Sequence, residues 1–259
     1  MRIAIIGGGS MGGALVEGLI KKQDFTYKYE NIIISNPHLE KIKRFEKEGV
    51  KITISNKDAV QNADVIIVAV KPWKVREVIE EIETVATASN AEWCFIEAGI
   101  TSTELSEMFR NSVPENFSIV MPNTAMSQCK SMTFIVPAKG KFTKTESIFT
   151  QVGRVQIIEE KQLPAAMALA SCGIAFALKY IRASCLGGIT LGFKPSEAQS
   201  IVCATIDGAI SLLNHPDAHA EVEIDKVTTP GGITIKGLNE MEKYGFSTAV
   251  IEALKVTGR

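Results

Sequence analysis

A short apolar run, a glycine-rich turn and an amphipathic segment follow one another in residues 3–20, IAIIGGGSMGGALVEGLI. Within the turn, Gly7, Gly9 and Gly12 stand in G-x-G-x-x-G spacing. In a strand–turn–helix unit, the first glycine permits the tight turn and the second lets a pyrophosphate approach the backbone. The third lets the helix pack against the strand. The helix N-terminus then offers unpaired N–H groups to the phosphate. The pattern predicts a dinucleotide site, and the alternative is a purely structural tight turn.

The first part of the sequence alternates short apolar runs with amphipathic segments. Helical segments are expected near residues 10–22, 38–48 and 73–85. The continuous apolar run ADVIIVAV at 63–70 is typical of a parallel strand buried on both faces. Further strands are expected at Ile3–Ile6, Ile32–Ile34, WCFIEAG, FSIVMPN, MTFIVPA and VQIIE. This β-α-β alternation predicts an α/β fold with a Rossmann-type doubly wound parallel sheet over residues 1–158.

The pattern changes to long helical stretches from about residue 160. Residues 163–188 are rich in Ala, Ser, Cys and Gly, and residues 194–214 contain Pro195 near the first turn of a second helix. Two or three shorter helices are expected after them. We therefore predict an all-helical domain over 159–259, whose small residues permit the helices to approach closely. We expect this domain to form a homodimer, and higher homo-oligomers remain open.

Composition argues against several classes of partner. The net charge is −1, without a basic block, so nucleic-acid binding is not expected. The uncharged stretch Leu163–Leu178 is shorter than the roughly 20 residues of a membrane span. It is interpreted as a helix buried in a core or a subunit interface, and no membrane partner is expected.

The cysteines and histidines give no metal pattern. Five scattered cysteines without a C-x-x-C pair favour a reduced, cytoplasmic location, which the lack of a signal-peptide pattern also favours. His215 and His219 are four residues apart, but Pro216 and Asp217 between them indicate a helix start. We expect solvent-facing histidines and no metal site.

The corner after the second strand selects the nucleotide. NAD sites usually carry an acidic residue there, which binds the ribose 2′-hydroxyl. This sequence has Ser35 and Asn36 instead, followed by Pro37 at a predicted helix start, and no carboxylate until Glu40. A hydroxyl, an amide and a helix N-terminus can all receive a 2′-phosphate. The corner therefore favours NADPH, while NADH remains possible; alternatively, the two residues merely cap the helix.

Four sequence blocks carry a family resemblance. IGGGSMG, AVKP, MPNT and, most specifically, VTTPGGITIKGLNEME at 227–242 resemble Δ1-pyrroline-5-carboxylate reductase. The resemblance spans nearly the whole chain. It implies a Rossmann domain followed by a helical dimerisation domain. It also implies reduction of a cyclic imine carboxylate to L-proline with NAD(P)H, the last step of proline synthesis.

The resemblance assigns roles to the block at 227–242. Thr234 would be the catalytic group that bonds the imine nitrogen. Close N–H donors of a Gly-Gly segment would hold the substrate carboxylate. A structural alternative is a helix start with Thr229 as cap and Pro230 at the first position. The substrate-binding residues expected on this basis are Thr228, Thr229, Gly231, Gly232, Ile233 and Thr234.

The expected cofactor contacts follow from the glycine turn, the corner after the second strand and the resemblance. Lys71 is the only charge at the AVKPW edge, where it could meet phosphate or the substrate carboxylate, or be a solvent lysine. The contacts expected are Gly7, Gly9, Ser10, Met11, Gly12, Ser35, Asn36, Asn56, Ala69, Val70, Lys71, Pro72, Ala98 and Gly99.

Several positions depart from the family pattern, which places the substrate in question. Cys172, Ile174 and Phe176 replace Ser, Pro and Tyr, and Ala125 stands where a second proline is common. One alternative is an NADP-linked reductase of the two-domain hydroxyacid dehydrogenase type, which typically depends on a catalytic lysine. Lys179 is the nearest candidate by position, but its surroundings do not match that pattern. Another is a non-catalytic nucleotide-binding paralogue.

Overall fold

The computed structural model describes residues 1–22, 31–86, 90–97 and 99–258. The chain divides into two compact units, Met1–Ser171 and Cys172–Arg259. The predicted domain boundary between residues 158 and 159 stays a prediction. That boundary lies just after the last strand, whereas the contact boundary lies inside the helical stretch that follows.

Unit 1 contains, within the described residues, an eight-stranded sheet with the order β3-β2-β1-β4-β5-β6-β7-β8. Strands β1 to β6 are mutually parallel, β7 is antiparallel to β6, and β8 is parallel to β7. The strands are β1 (Ile3–Ile6), β2 (Ile32–Ser35), β3 (Lys51–Thr53), β4 (Val65–Val68), β5 (Glu92–Ile96), β6 (Phe117–Met121), β7 (Ser131–Lys139) and β8 (Gly153–Ile157). The predicted doubly wound sheet is confirmed. The sequence analysis missed β3, which is three residues long and partly exposed.

Helices cover both faces of this sheet. They are α1 (Ser10–Lys21), α2 (Asn56–Val60), α3 (Val75–Ala86), α4 (Ser102–Glu107), α5 (Thr143–Gln151) and α6 (Leu163–Ala166). Because strand side chains alternate between faces, β1 contributes Ile3 and Ile5 to one core and Ala4 and Ile6 to the other. Burial on both faces explains why the central strands are continuous apolar runs.

The prediction of one continuous helix near residues 38–48 is wrong. The segment forms two 3₁₀ helices, Leu39–Lys41 and Lys43–Glu48, and Gly49 ends the second with φ of 85°. Its buried apolar anchors, Ile42 and Phe45, are three residues apart. That spacing places both side chains on one face of a helix with three residues per turn.

Unit 2 is helical, as predicted. After α6 and a π-helical turn at Met167–Cys172, the chain forms α7 (Gly173–Thr190), α8 (Pro195–Leu212), α9 (Ala220–Lys226), α10 (Ile233–Lys243) and α11 (Phe246–Thr257). Helix α7 contains no buried residue within the single chain. By length and composition, Glu160–Thr190 could cross a membrane, a test that core helices of soluble proteins also pass.

Glu92 fixes the start of α5 against β5. Glu92 is only 3% exposed. Its carboxylate accepts hydrogen bonds from the backbone N–H groups of Lys144 and Thr145, at 3.1 and 2.8 Å. A carboxylate at a helix N-terminus satisfies orphan N–H donors and favours the helix dipole. Glu92 thereby joins the edge element β7–α5–β8 to the centre of the sheet.

We expect Glu92→Ala to lower the free energy of unfolding by about 2–3 kcal/mol, because it leaves buried N–H donors unpaired. Urea unfolding followed by circular dichroism measures this change. The control is Glu115→Ala, which removes an 82% exposed partner of Lys139 and should cost less than about 1 kcal/mol. Equal effects of the two substitutions would contradict the capping role.

Candidate dinucleotide site and substrate loop

The glycine turn has the geometry that its sequence predicts. Gly7 leaves β1 with φ of 105°, and its N–H donates to the Ser35 carbonyl at 3.0 Å. A methyl group at Gly12 would overlap the Gly7 carbonyl oxygen, so α1 and the turn touch through bare backbone. A methyl group at Gly9 would meet no atom within 4 Å. The space over Gly9 is therefore open to a ligand.

A cavity of about 500 Å³ lies over this turn at the carboxyl ends of the parallel strands. This is the position where open α/β sheets bind ligands. Nine of the predicted cofactor residues line it: Gly7, Gly9, Ser10, Met11, Asn36, Ala69, Val70, Lys71 and Pro72. Of the other predicted contacts, Gly12 supports the turn from below, and Ala98 lies outside the described residues.

The remaining lining residues were not identified from the sequence. They are Pro37, Lys41, Ile96, Glu97, Val120, Met121, Pro122 and Ser171. Six of the eight lie within two residues of the carboxyl end of a strand, a position that short apolar runs alone do not single out. Glu97 places a carboxylate in the cavity wall, and its Oε1 accepts from the N–H of Gly99 at 3.0 Å. Gly99 is thus placed beside the cavity rather than in its lining.

The ribose corner after β2 is a polar cluster. Ser35 is fully buried and donates its hydroxyl proton to Asn56 Oδ1 at 2.7 Å. Asn56 Nδ2 in turn donates to a Glu81 carboxylate oxygen at 2.7 Å. Of these three residues, sequence reasoning identified Ser35 and Asn56 and missed Glu81, which is 46 positions beyond Ser35 in the sequence.

Asn36 turns the chain at this corner instead of capping an α-helix. Its Oδ1 accepts from the N–H of His38 at 2.8 Å, and the 3₁₀ helix that follows begins only at Leu39. The expected α-helix N-terminus facing a 2′-phosphate is therefore absent from this described segment. Lys41, in the first 3₁₀ helix, lines the cavity and places a positive charge in its wall.

The loop at 228–232 in unit 2 forms a β-turn. The N–H of Gly232 donates to the Thr229 carbonyl at 2.9 Å, and Gly231, at the third position, has φ of 70°. Pro230 at the second position and a left-handed glycine at the third are the signature of a type II turn. A methyl group at Gly232 would lie 2.5 Å from Thr229 Oγ1. Both glycines therefore have a structural reason in the turn itself.

The structural alternative of Thr229 as cap and Pro230 at the first helical position is wrong. Helix α10 begins at Ile233, with Gly232 as N-cap. The N–H of Gly232 is already bonded, so the orphan donors at this helix end belong to Ile233, Thr234 and the next residue. Thr228 Oγ1 donates to the Ile224 carbonyl at 2.7 Å. The roles predicted for these residues in substrate binding remain predictions.

Two glycine substitutions separate folding from ligand binding at the turn. We expect Gly12→Ala to lower both the melting temperature and the affinity for a dinucleotide, because its methyl group displaces α1 from Gly7. We expect Gly9→Ala to leave the melting temperature within about 2 °C but to weaken dinucleotide binding at least about tenfold. Thermal melting and calorimetric titration measure the two effects. Unchanged affinity in Gly9→Ala would contradict the placement of the pyrophosphate.

Two family models match the chain. A model described as pyrroline-5-carboxylate reductase dimerisation matches residues 160–258. A model described as NADP oxidoreductase, coenzyme F420-dependent, matches residues 2–91.

Relatives and a solved structure match over nearly the whole chain. Pyrroline-5-carboxylate reductase 1 of Dictyostelium discoideum is 35% identical over 97% of this chain, which spans about half, 48%, of that relative's length. Pyrroline-5-carboxylate reductase 2 of the same organism is 34% identical, over 97% of this chain and 89% of the relative. A crystal structure of Plasmodium falciparum pyrroline carboxylate reductase with NADP bound superposes with a TM-score of 0.88. It is 25% identical and covers 100% of this chain and 95% of that one.

The relatives match over 97% of this chain, so both units belong to one family. The glycine turn lies within residues 2–91, which the NADP oxidoreductase model matches, and the turn at 229–232 lies within residues 160–258, which the dimerisation model matches. The chain belongs to the pyrroline-5-carboxylate reductase family.

Proposed function

We propose that this protein reduces 1-pyrroline-5-carboxylate to L-proline with a nicotinamide dinucleotide as hydride donor. The observation that carries the proposal is the cavity over the open Gly9 backbone, in a chain whose relatives are named for this reaction. A bound nicotinamide cofactor would supply the hydride. The protein residues would bind both reactants, orient them and manage the proton on the imine nitrogen.

Reduction of the imine needs little acid–base chemistry from the protein. As hydride adds to the ring carbon of the C=N bond, the electron pair of the π bond moves to nitrogen. The nitrogen carries a proton in the electrophilic iminium form. We infer that Thr234, in the first turn of α10, bonds this nitrogen, since its hydroxyl can donate or accept. Catalysis then depends mainly on positioning.

The substrate carboxylate requires an anion site, and the start of α10 offers one. The unbonded N–H groups of Ile233 and Thr234 point out of the helix end, where the dipole is positive. The type II turn at 229–232 brings Gly231 and Gly232 to this end with no side chains to block a small ring. We infer that the turn shapes the site and that α10 supplies the donors.

For the cofactor, we propose NADPH, with NADH also accommodated. The Asn36 amide and the Lys41 ammonium border the cavity where the adenosine ribose would lie, and both can donate to a 2′-phosphate. Ser35 is committed to Asn56 and is not placed to donate in the same way. In this proposal, Lys41 attracts the 2′-phosphate, the role that the sequence predicted for a helix N-terminus.

We propose that unit 2 forms a homodimer, through the apolar side chains that it exposes. Tyr180 of α7 contacts Phe246 of α11 edge to face, with ring centroids 6.1 Å apart, and both side chains stay largely exposed. Helices α7, α8 and α11 expose further apolar residues, which include Leu178, Leu186, Ile189, Ile201, Ile210, Val250 and Ile251. Exposed apolar area of this kind marks interaction surfaces. A second copy would bury the apolar side chains of α7, which has no buried residue within the single chain.

Thr234→Ala tests the reaction and the role of this hydroxyl together. The wild-type protein should oxidise NADPH in the presence of pyrroline-5-carboxylate, with kcat of about 1–10³ s⁻¹. We expect the alanine variant to lose roughly a hundredfold or more in kcat/KM, because the hydrogen bond to nitrogen disappears. NADPH affinity should not change. Steady-state kinetics and calorimetric titration measure the two quantities.

The matched control is Thr234→Ser, which keeps the hydroxyl and should stay within about tenfold of wild type. Equal activity of the alanine variant and the wild type would remove Thr234 from the site. A wild-type protein that binds NADPH but does not turn over would mean that the changes at Cys172, Ile174 and Phe176 have altered the substrate. It would equally fit a non-catalytic paralogue.

Lys41→Ala tests the cofactor proposal. We expect KM for NADPH to rise about tenfold and KM for NADH to change less than about twofold, because only NADPH carries the extra dianion. Raising the salt concentration should shrink this difference through screening. Lys47→Ala, at the exposed end of the second 3₁₀ helix, is the control. Equal changes in both KM values for Lys41→Ala would contradict the role.

A further inference from the structure

Glu97 places a negative charge in the wall of the cavity over the glycine turn. Among the described residues that line this cavity, it is the one that carries a carboxylate. Glu97 directly follows β5 and is half-buried. Its Oε1 accepts a hydrogen bond from the N–H of Gly99 at 3.0 Å, which holds the carboxylate beside the chain as it leaves the strand. A ligand that fills the cavity therefore lies near this charge.

The strand order places Glu97 at a definite end of the cavity. The glycine turn follows β1, while Asn36 and Lys41 follow β2 on one side of the turn. On the other side, β4 pairs with β1 and β5 pairs with β4, so Glu97 lies two strands away from the turn. A doubly wound sheet holds one half of a dinucleotide on each side of the central turn. With the adenosine half beside β2, Glu97 lies on the side of the nicotinamide half.

The neighbours of Glu97 in this wall are apolar. Ile96 pairs in register with Val120 of β6, and both side chains are buried. Met121 and Pro122, at the end of β6, also line the cavity. Apolar walls lower the effective dielectric constant and strengthen the field of a charge that they surround. The Glu97 carboxylate therefore acts more strongly on a ligand here than a fully exposed carboxylate would.

A negative charge on the nicotinamide side distinguishes the two redox forms of the cofactor. The reduced ring is neutral. When a hydride leaves it for the imine carbon, with both electrons of the broken C–H bond, the ring becomes a cation. The phosphates keep their charge in both forms, so contacts with Lys41 or with the glycine turn do not separate the two forms. The Glu97 carboxylate attracts the cationic ring and finds no net charge on the neutral ring.

We propose that Glu97 sets the redox preference of the site by strengthening the binding of the oxidised dinucleotide relative to the reduced one. This inference rests on the proposed function, because it takes the ligand to be a nicotinamide dinucleotide. The same attraction stabilises the positive charge that develops on the ring during hydride transfer. It also makes the oxidised cofactor an effective product inhibitor, so that the reaction slows as the oxidised form accumulates.

Glu97→Gln tests the proposal on the full chain. The substitution removes the charge and keeps an oxygen that can accept from the Gly99 N–H. We expect the ratio of Kd for NADP⁺ to Kd for NADPH to rise about three- to tenfold, because the cationic ring loses its partner charge. The Kd for 2′,5′-ADP should change less than about twofold, because this ligand carries no nicotinamide. Calorimetric titration with each ligand measures these constants without turnover.

Glu40→Gln is the matched control. It removes the same charge beside Lys41, at the adenosine side of the cavity, where the Glu40 side chain is 71% exposed. We expect it to change the ratio by less than about twofold, because this side meets only charges that both redox forms share and that solvent screens. An unchanged ratio in Glu97→Gln, or an equal change in both variants, would overturn the proposal.

Glu97→Ala supplies a second test that holds even if Glu97→Gln folds poorly. It also removes the acceptor for the Gly99 N–H, but a displacement of this segment acts on both redox forms alike. The ratio should therefore shift in the same direction, and a ratio that is unchanged or favours NADP⁺ would overturn the proposal. Failure of the proposed function would look different, since both redox forms would bind without reduction of the imine. If the wild-type protein binds neither form, both proposals fail.

Discussion

The contact between α1 and the turn that precedes it is the constraint on which the cofactor half depends. Gly12 lies against the carbonyl oxygen of Gly7 so closely that a single methyl group would not fit. This contact aims the N-terminus of α1 at the cavity and leaves the Gly9 backbone open above it. The hydrogen bond from the Gly7 N–H to the Ser35 carbonyl also holds this turn to β2.

The same bond connects the glycine turn to the polar cluster after β2. The Ser35 carbonyl accepts from the glycine turn and the Ser35 hydroxyl donates to Asn56, so one residue holds the turn and α2 together. Its complete burial explains why this position is small and polar: a larger side chain would displace either the turn or α2.

Unit 2 shows a different use of glycine. At 229–232 the Pro-Gly-Gly sequence satisfies a type II turn, with one glycine required by its φ and the other by its contact with Thr229. The turn ends where α10 begins. The Gly232 N–H is bonded within the turn, and the N–H groups of Ile233 and Thr234 that follow it form the start of the helix. Structure and ligand binding are not competing explanations here, because the turn is what presents the helix end.

The sequence by itself determined the strand–turn–helix start, the parallel sheet and the helical second half, since local periodicity and glycine spacing encode them. It also placed nine lining residues in one cavity, because motifs at strand ends must meet at one edge of a parallel sheet. It was wrong about the segment after Asn36, where two buried anchors select 3₁₀ turns over an α-helix.

Only the tertiary structure brought Glu81 to Asn56 and Lys41 to the cavity. Glu81 is a half-buried residue of α3 and Lys41 ends a short 3₁₀ helix, and no periodic pattern marks either residue as functional. Contacts between elements distant in sequence depend on how the helices pack on the sheet. That packing, and not local propensity, decided which charges surround the ribose corner.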